Sequence, residues 1–192
     1  MKSTPKPFDH FWRCVECSCS IKHFLGICWK CGADRPGGEV ARQASLESER
    51  EILAQPWSVR EDAFKDLPRE LVDRYKRDIE RGLRRIDLAR SIVLSTIGQV
   101  SGSKFVRRLE NLAATSKERC DATFLSDYYR EGYHGELHHA EYGELVVFML
   151  MYKAHQLGAN AVLNVTLTPS PPNNSYGHVA SGDAAVIENV VT

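Results

Sequence analysis

Leu145-Val-Val-Phe-Met-Leu-Met-Tyr-Lys-Ala-His-Gln-Leu-Gly-Ala-Asn-Ala-Val-Leu-Asn-Val-Thr-Leu-Thr168 changes its structural period once, and the change falls at Gly158. From Glu136 to Leu157 the residues are good helix formers apart from Gly143, and Gly158 stands where a left-handed C-cap is expected. Beyond it, Ala161 to Thr168 is rich in β-branched residues and reads as a strand. A polar turn, Pro169 to Asn174, leads to a second β-rich stretch, Gly177 to Val191, so the simplest arrangement is an antiparallel pair. Within the helix, Leu145 to Tyr152 is apolar around the whole circumference and must be covered on more than one side. A core helix and a helix at a subunit interface both meet that requirement.

Reading back from this stretch, Ile92 to Ile97 is predicted as a strand, punctuated by Gly98 and Gly102. Ser103 to Ala113 is predicted to return to helix, while Thr123 to Gly135, dense in tyrosine and glycine, carries no firm assignment. Residues 91–192 therefore form an α+β domain with mixed or antiparallel strands and a long helix.

Upstream, Val72, Tyr75, Ile79, Leu83 and Ile86 recur every three or four residues from Pro68 onward, as on an amphipathic helix. Glu70 with Arg74, Asp73 with Arg77 and Glu80 with Arg84 are spaced for i,i+4 ion pairs. Gly82 interrupts the seam that a coiled coil would need. Val40 to Ala54 favours a shorter helix ended near Pro56, so residues 40–90 read as a helical linker.

Ahead of Pro36-Gly37-Gly38 lies a separate module, residues 8–36. Cys14 and Cys17, then Cys28 and Cys31, form two Cys-x-x-Cys pairs separated by ten residues. Each pair can shape a knuckle whose thiolates converge on one centre, and four sulfurs complete a tetrahedron around zinc, with iron as the competing metal. Such a site leaves no position open for water, so one structural Zn2+ per chain is expected to hold the fold and to perform no chemistry. Chelation should unfold a segment too short to build a core of its own. Gly32 suits the tight turn after the second pair. Cys19 breaks the paired spacing and reads as a spare thiol, and His10 and His23 as surface histidines.

The chain has 192 residues, 43% hydrophobic and 26% charged, with 25 Lys and Arg against 25 Asp and Glu. This composition is ordinary for a soluble globular protein of one or two domains, and no long-range field draws the molecule to nucleic acid or anionic lipid. The basic start lacks an apolar signal region, and no apolar run approaches the roughly 18 to 20 residues of a membrane span. A cytoplasmic location without membrane association is the resulting expectation, and six cysteines there argue for metal ligation over disulfides.

Trp12-Arg13-Cys14-Val15-Glu16-Cys17 followed by Cys28-Trp29-Lys30-Cys31-Gly32-Ala33-Asp34-Arg35-Pro36 resembles the Ran-binding-protein type of zinc finger. Ile21 stands where that family has an asparagine, and a generic zinc ribbon fits equally. The resemblance implies binding of single-stranded RNA or of ubiquitin. Trp12, Phe24 and Trp29 with Arg13, Lys30 and Arg35 would form the partner-binding surface, the rings stacking on bases and these cations, with Lys22, touching phosphates. Alternatively the tryptophans cover the metal. Residues 1–38 carry six Lys and Arg against three Asp and Glu, and a zinc tetrathiolate leaves an excess of only about one positive charge.

Ser91-Ile-Val-Leu-Ser-Thr-Ile-Gly-Gln-Val-Ser-Gly102, Leu157-Gly-Ala-Asn-Ala-Val162 and Ala180-Ser-Gly-Asp-Ala-Ala-Val186 resemble, in order, the YbjQ-like family, whose label is heavy-metal binding. The resemblance implies a compact α+β fold assembling into a homo-oligomeric ring, commonly a pentamer. Residues 120–143 depart from the family pattern, and Asp183 replaces its usual threonine. No ligand motif of that family can be placed residue by residue. His134 and His138, with His139 and Glu141 nearby, have the spacing of a metal pair on a helix, but Gly135 lies between them and solvent-exposed histidines are the preferred reading.

No catalytic motif is found. Cys120 lacks an identifiable base, and Asp127, Glu131, Glu136, Glu141 and Glu144 show no working pair. The sequence thus points to a zinc-binding oligomeric scaffold without catalytic activity, displaying fingers on helical stalks to a protein partner. The alternatives are a zinc-finger protein that binds single-stranded RNA or DNA, and a heavy-metal-binding or metal-sensing protein.

Overall fold

The computed structural model describes residues 11–22, 25–28, 30–60, 64–115, 139–168 and 178–189. Strands β1 (Phe11–Arg13) and β2 (Ser20–Lys22) form an antiparallel ribbon. Helix α1 (Gly38–Ala54) and helix α2 (Arg69–Ser91) follow, then β3 (Val93–Leu94), β4 (Ser103–Thr115), helix α3 (His139–Gln156), β5 (Ala161–Thr168) and β6 (Val179–Asn189). The second sheet is ordered β3-β5-β6-β4, with β3 parallel to β5 and the other neighbours antiparallel. Helix and strand are mixed, as the α+β reading expects.

The switch at Gly158 takes the anticipated form. Its φ is 75°, its N–H bonds the His155 carbonyl at 2.9 Å, and the Ala159 N–H reaches back to Ala154 at 3.0 Å. These two bonds close the end of α3 in a Schellman motif. Val146, Val147, Phe148, Met149, Leu150 and Met151 are all buried within the single chain. Of the two ways to cover this helix, the core is the one realised. Val162, Val165, Ala180, Ala184, Leu112 and Ala114 belong to the same cluster as α3, whereas Ala161, Leu163, Ala185 and Ile187 form a smaller cluster with Val93 and Val100.

Residues 103–113 are a strand, not the expected helix. β4 pairs with β6 over its whole length, with register shifts between Phe105 and Arg107 and between Arg108 and Glu110. Each shift inserts one extra residue, so apolar side chains at Phe105, Leu109 and Leu112 recur at four and three positions, imitating a helical period. The strand predicted over 92–97 is confined to Val93–Leu94. Residues after it leave regular pairing but stay bonded to β5: Val165 N–H to Ser95 O at 2.9 Å and Asn164 N–H to Ile97 O at 3.2 Å. Asn164, at φ 53°, sits at a bulge in β5 that turns Val165 to the same face as Val162.

Both linker helices exist and pack on each other in antiparallel fashion. Arg50 Nε bonds Asp87 Oδ1 at 3.1 Å, and Arg90 Nη2 lies 2.5 Å from Glu47 Oε2. Leu46 and Leu53 of α1, and Ile86, Leu88 and Ala89 of α2, join a continuous cluster that also holds Trp12, Ile21, Leu25 and Ile27 of the first module and the α3 side of the sheet. The helices are packed into the molecule and do not stand out as stalks. The expected α2 face is seen: Ile86 is buried, while Ile79 and Leu83 pack partly against the cluster. Nearer the start of α2, Tyr75 contacts Phe64 (centroids 4.5 Å) and Trp57 (6.1 Å). The expected i,i+4 pairs do not form among the described residues. Asp73 instead meets Arg69 at 3.9 Å, and Asp78 meets Arg81 at 3.4 Å. A pair as exposed as Arg69 and Asp73 contributes little in either arrangement. Among the described residues no helix is long and apolar enough to cross a membrane. The proposed turn at 169–174 lies outside the described residues.

Candidate metal centre

Two short backbone loops build the site, and they repeat one hydrogen-bond pattern. In the first, the Cys14 N–H bonds Cys19 O at 2.9 Å and the Ser18 N–H bonds Cys14 O at 3.0 Å. In the second, the Cys28 N–H bonds Ala33 O at 2.8 Å and the Gly32 N–H bonds Cys28 O at 2.9 Å. The residue that closes each loop has a left-handed backbone, Ser18 at φ 57° and Gly32 at φ 77°. Gly32 adopts it without steric cost; Ser18 does so against its Cβ. The ribbon of β1 and β2 holds the first loop, and a bridge between Ile27 and Asp34 holds the second.

This geometry draws the four sulfurs of Cys14, Cys17, Cys28 and Cys31 within 4.8 Å of one another. Cys14 Sγ lies 3.5 Å from Cys31 Sγ, and Cys17 Sγ 3.6 Å from Cys28 Sγ. A disulfide needs about 2.05 Å, so these are not bonded pairs. A tetrahedral ion with metal–sulfur bonds of about 2.3 Å needs its sulfurs roughly 3.8 Å apart. The donor set therefore fits a four-coordinate metal ion, and the ligands predicted from spacing are the ones the fold brings together. Cys14 and Cys28 are buried, Cys17 is half-buried and Cys31 is exposed, so one flank of the centre faces solvent.

Local electrostatics differ among the thiols. The Cys19 backbone N–H directed at Cys17 brings that thiol down to about 6, against burial that pushes it up. Burial pushes the Cys28 and Cys31 thiols up, outweighing the backbone N–H groups that point at them. Metal ligation by such a set displaces protons. Cys19 is half-buried and stands outside the group of four.

The surrounding residues separate into two sets. Trp12 is buried, with its indole N–H bonding Leu25 O at 3.0 Å, so its ring belongs to the interior with Cys14 and Cys28 and not to a contact surface. Arg13 and Lys30 are exposed. Arg35 is half-buried and bonds Ser45 Oγ of α1 at 2.8 Å, and burial, helped by the nearby Arg42 cation, lowers its guanidinium. Phe24 and Trp29 lie outside the described residues, as do His10, His23, Cys120, Asp127, Glu131, His134, Glu136 and His138.

One residue the motif reading passed over is Arg42. Its side chain is fully buried, and it stands on the α1 stripe Arg42, Leu46, Glu49 and Leu53. A cation in line with two leucines, four and eleven residues further on, was the available signal. Ser91 Oγ lies 3.3 Å from His155 Nδ1, a contact between residue types that can form a nucleophile and base. The Ser91 hydroxyl, however, donates to Leu88 O at 2.8 Å, so the histidine is not placed to take its proton. The sequence matches no family model and no curated protein.

Proposed function

We propose that this chain binds one zinc ion through Cys14, Cys17, Cys28 and Cys31 and acts as a non-catalytic, homo-oligomeric scaffold that presents its finger surface to a protein partner. The observation that carries the metal part is the convergence of four sulfurs on one centre; a four-coordinate ion held by them would have every position filled by protein. A closed tetrathiolate favours zinc or iron, and zinc is the redox-inert choice for a site with a structural task.

Self-association rests on the resemblance to YbjQ-like rings. Since α3 is covered within its own chain, the surface for it is sought elsewhere. Strand β4 lies at the sheet edge and leaves Phe105 51% and Val106 43% exposed beside Lys104, Arg107 and Arg108. Size-exclusion chromatography with light scattering tests this part: a pentamer or other closed ring is expected, and a strict monomer at micromolar concentration removes it. The cytoplasm is the compartment in which four reduced thiols are available to the ion.

The second reading is a nucleic-acid-binding finger, favoured by the exposed Arg13 and Lys30 and by Phe11, which is 54% exposed. It predicts a salt-dependent shift of labelled single-stranded RNA that Lys30→Ala abolishes. Indifference to RNA and DNA at low salt counts against it. A metal-handling role would instead require a second ion per chain that survives replacement of the four cysteines.

A further inference from the structure

Arg42 is a fully buried cation placed where three parts of the molecule meet. Its Nη1 donates to Ala89 O at 2.8 Å and its Nη2 to Ile92 O at 3.0 Å, so the guanidinium caps the last turn of α2 at the point where the chain turns into β3. Glu39, one turn earlier on α1, holds the other edge of the fork, with Arg42 Nε to Glu39 Oε2 at 2.7 Å. Gln43 adds a contact from Nε2 to Arg90 O at 3.4 Å. On its remaining side the Arg42 stem lies against Gly26, so close that a Cβ built on Gly26 would stand 3.2 Å from Arg42 Cδ. Gly26 accepts the Arg35 N–H at 2.9 Å and is followed by Ile27, whose bridge to Asp34 frames the second cysteine loop. From the other end of the same loop, Gly32 approaches Thr96 beyond β3, with a built Cβ 3.8 Å from Thr96 Cγ2.

The second cysteine loop thus rests on a platform in which Arg42 ties α1 to the α2–β3 junction. A loop that loses its order would let Gly26 move away and uncover this buried guanidinium. Resting on the zinc reading given above, we propose that Arg42 is a positioning residue for the metal: it is no ligand, yet it sets the zinc affinity of the four-cysteine site and carries metal occupancy to the α2–β3 junction. Because coupling is reciprocal, whatever factor zinc adds to the docking of this junction, the docked junction adds to zinc binding.

The test uses the full chain and Zn2+ itself, with affinity read by competition against a chromophoric chelator. Arg42→Met keeps the length of the stem and removes the fork; it should weaken zinc binding by about tenfold or more, the effect expected from losing charge-assisted bonds in a buried setting. Arg50→Gln, which breaks a solvent-exposed pair between the same two helices, should leave the affinity unchanged. Hydrogen exchange gives the reverse direction: on zinc removal, amides of residues 86–94 should exchange about tenfold faster in the unaltered chain, but show no zinc dependence in Arg42→Met. If Arg42→Met does not fold, Glu39→Gln, which loosens the fork from the half-exposed side, should lower the affinity severalfold. Equal zinc affinity in the unaltered chain and in Arg42→Met, or in Glu39→Gln where Arg42→Met does not fold, or exchange at 86–94 indifferent to zinc while the finger opens, would overturn the inference. A chain that binds no zinc at all instead overturns the reading on which it rests.

Discussion

Ser18 and Gly32 occupy equivalent positions in two loops with the same hydrogen bonds, but only one of them is a glycine. Ser18→Gly should therefore stabilise the metal-bound protein, by up to about 1 kcal/mol, while Gly32→Val should cost more than that, because a β-branched residue resists a left-handed backbone. Thermal melts of the two variants with zinc present check the signs. A second residue-scale prediction concerns Asp183. It accepts Asn164 Nδ2 at 2.8 Å and Asn111 Nδ2 at 2.9 Å and lies 2.6 Å from Arg108 Nη2, and these hydrogen bonds, with the Arg108 charge, hold its carboxyl below the usual carboxylate range. A depressed pKa contributes stability that is present above the unfolded value of about 3.9 and is lost as pH falls through the folded one. Asp183→Asn should lower the midpoint by a constant amount between about pH 5 and 7, equivalent to roughly 1 kcal/mol, and the gap should close on acidification below about pH 4. A gap independent of pH down to the acid limit would contradict this. At this scale the four ligands were legible because metal ligation imposes a local spacing that survives without knowledge of the fold. Arg42 was not, since its role comes from carbonyls of Ala89 and Ile92 that are distant in sequence.

Among elements, α3 shows how a helix without a polar face is accommodated. Leu150 is fully buried and Leu157, just past the helix end, is 42% exposed. Leu150→Ala should destabilise by about 2 to 5 kcal/mol and Leu157→Ala by about 0.5 kcal/mol or less, as denaturant midpoints will show. The helices, the C-cap at Gly158 and the pair β5 and β6 could be read from the sequence because composition and a clear stop mark them: good helix formers run up to Gly158 and β-branched residues follow it. β4 could not. Its two register shifts displace the alternation that marks a strand, and its first half, Lys104 to Arg108, is exposed on both faces, so no apolar stripe betrays it. Bulges and cations of this kind also discourage uncontrolled edge pairing, which a 13-residue edge strand would otherwise invite. β3 was overestimated for the opposite reason: Ser95 and Ile97 keep backbone bonds to β5 without ladder geometry.

For the whole molecule, one cluster runs from Trp12 through Leu46 and Ile86 to Val147 and Ala184. Composition and spacing suggested a module, a linker and a domain in series, and nothing in a linear pattern reveals that their apolar faces share a core. Continuity of that core predicts one cooperative transition for the zinc-loaded protein, with tryptophan fluorescence and far-ultraviolet circular dichroism coincident during denaturant unfolding. Two separated transitions would mean that the finger and the sheet unfold independently. The chemistry at the head of this structure remains the premise for everything assigned to it. Its most direct measurement is zinc-edge X-ray absorption of the purified full chain. The account predicts a single shell of four sulfurs at about 2.3 Å; nitrogen or oxygen in that shell, or a folded protein without zinc, would contradict it.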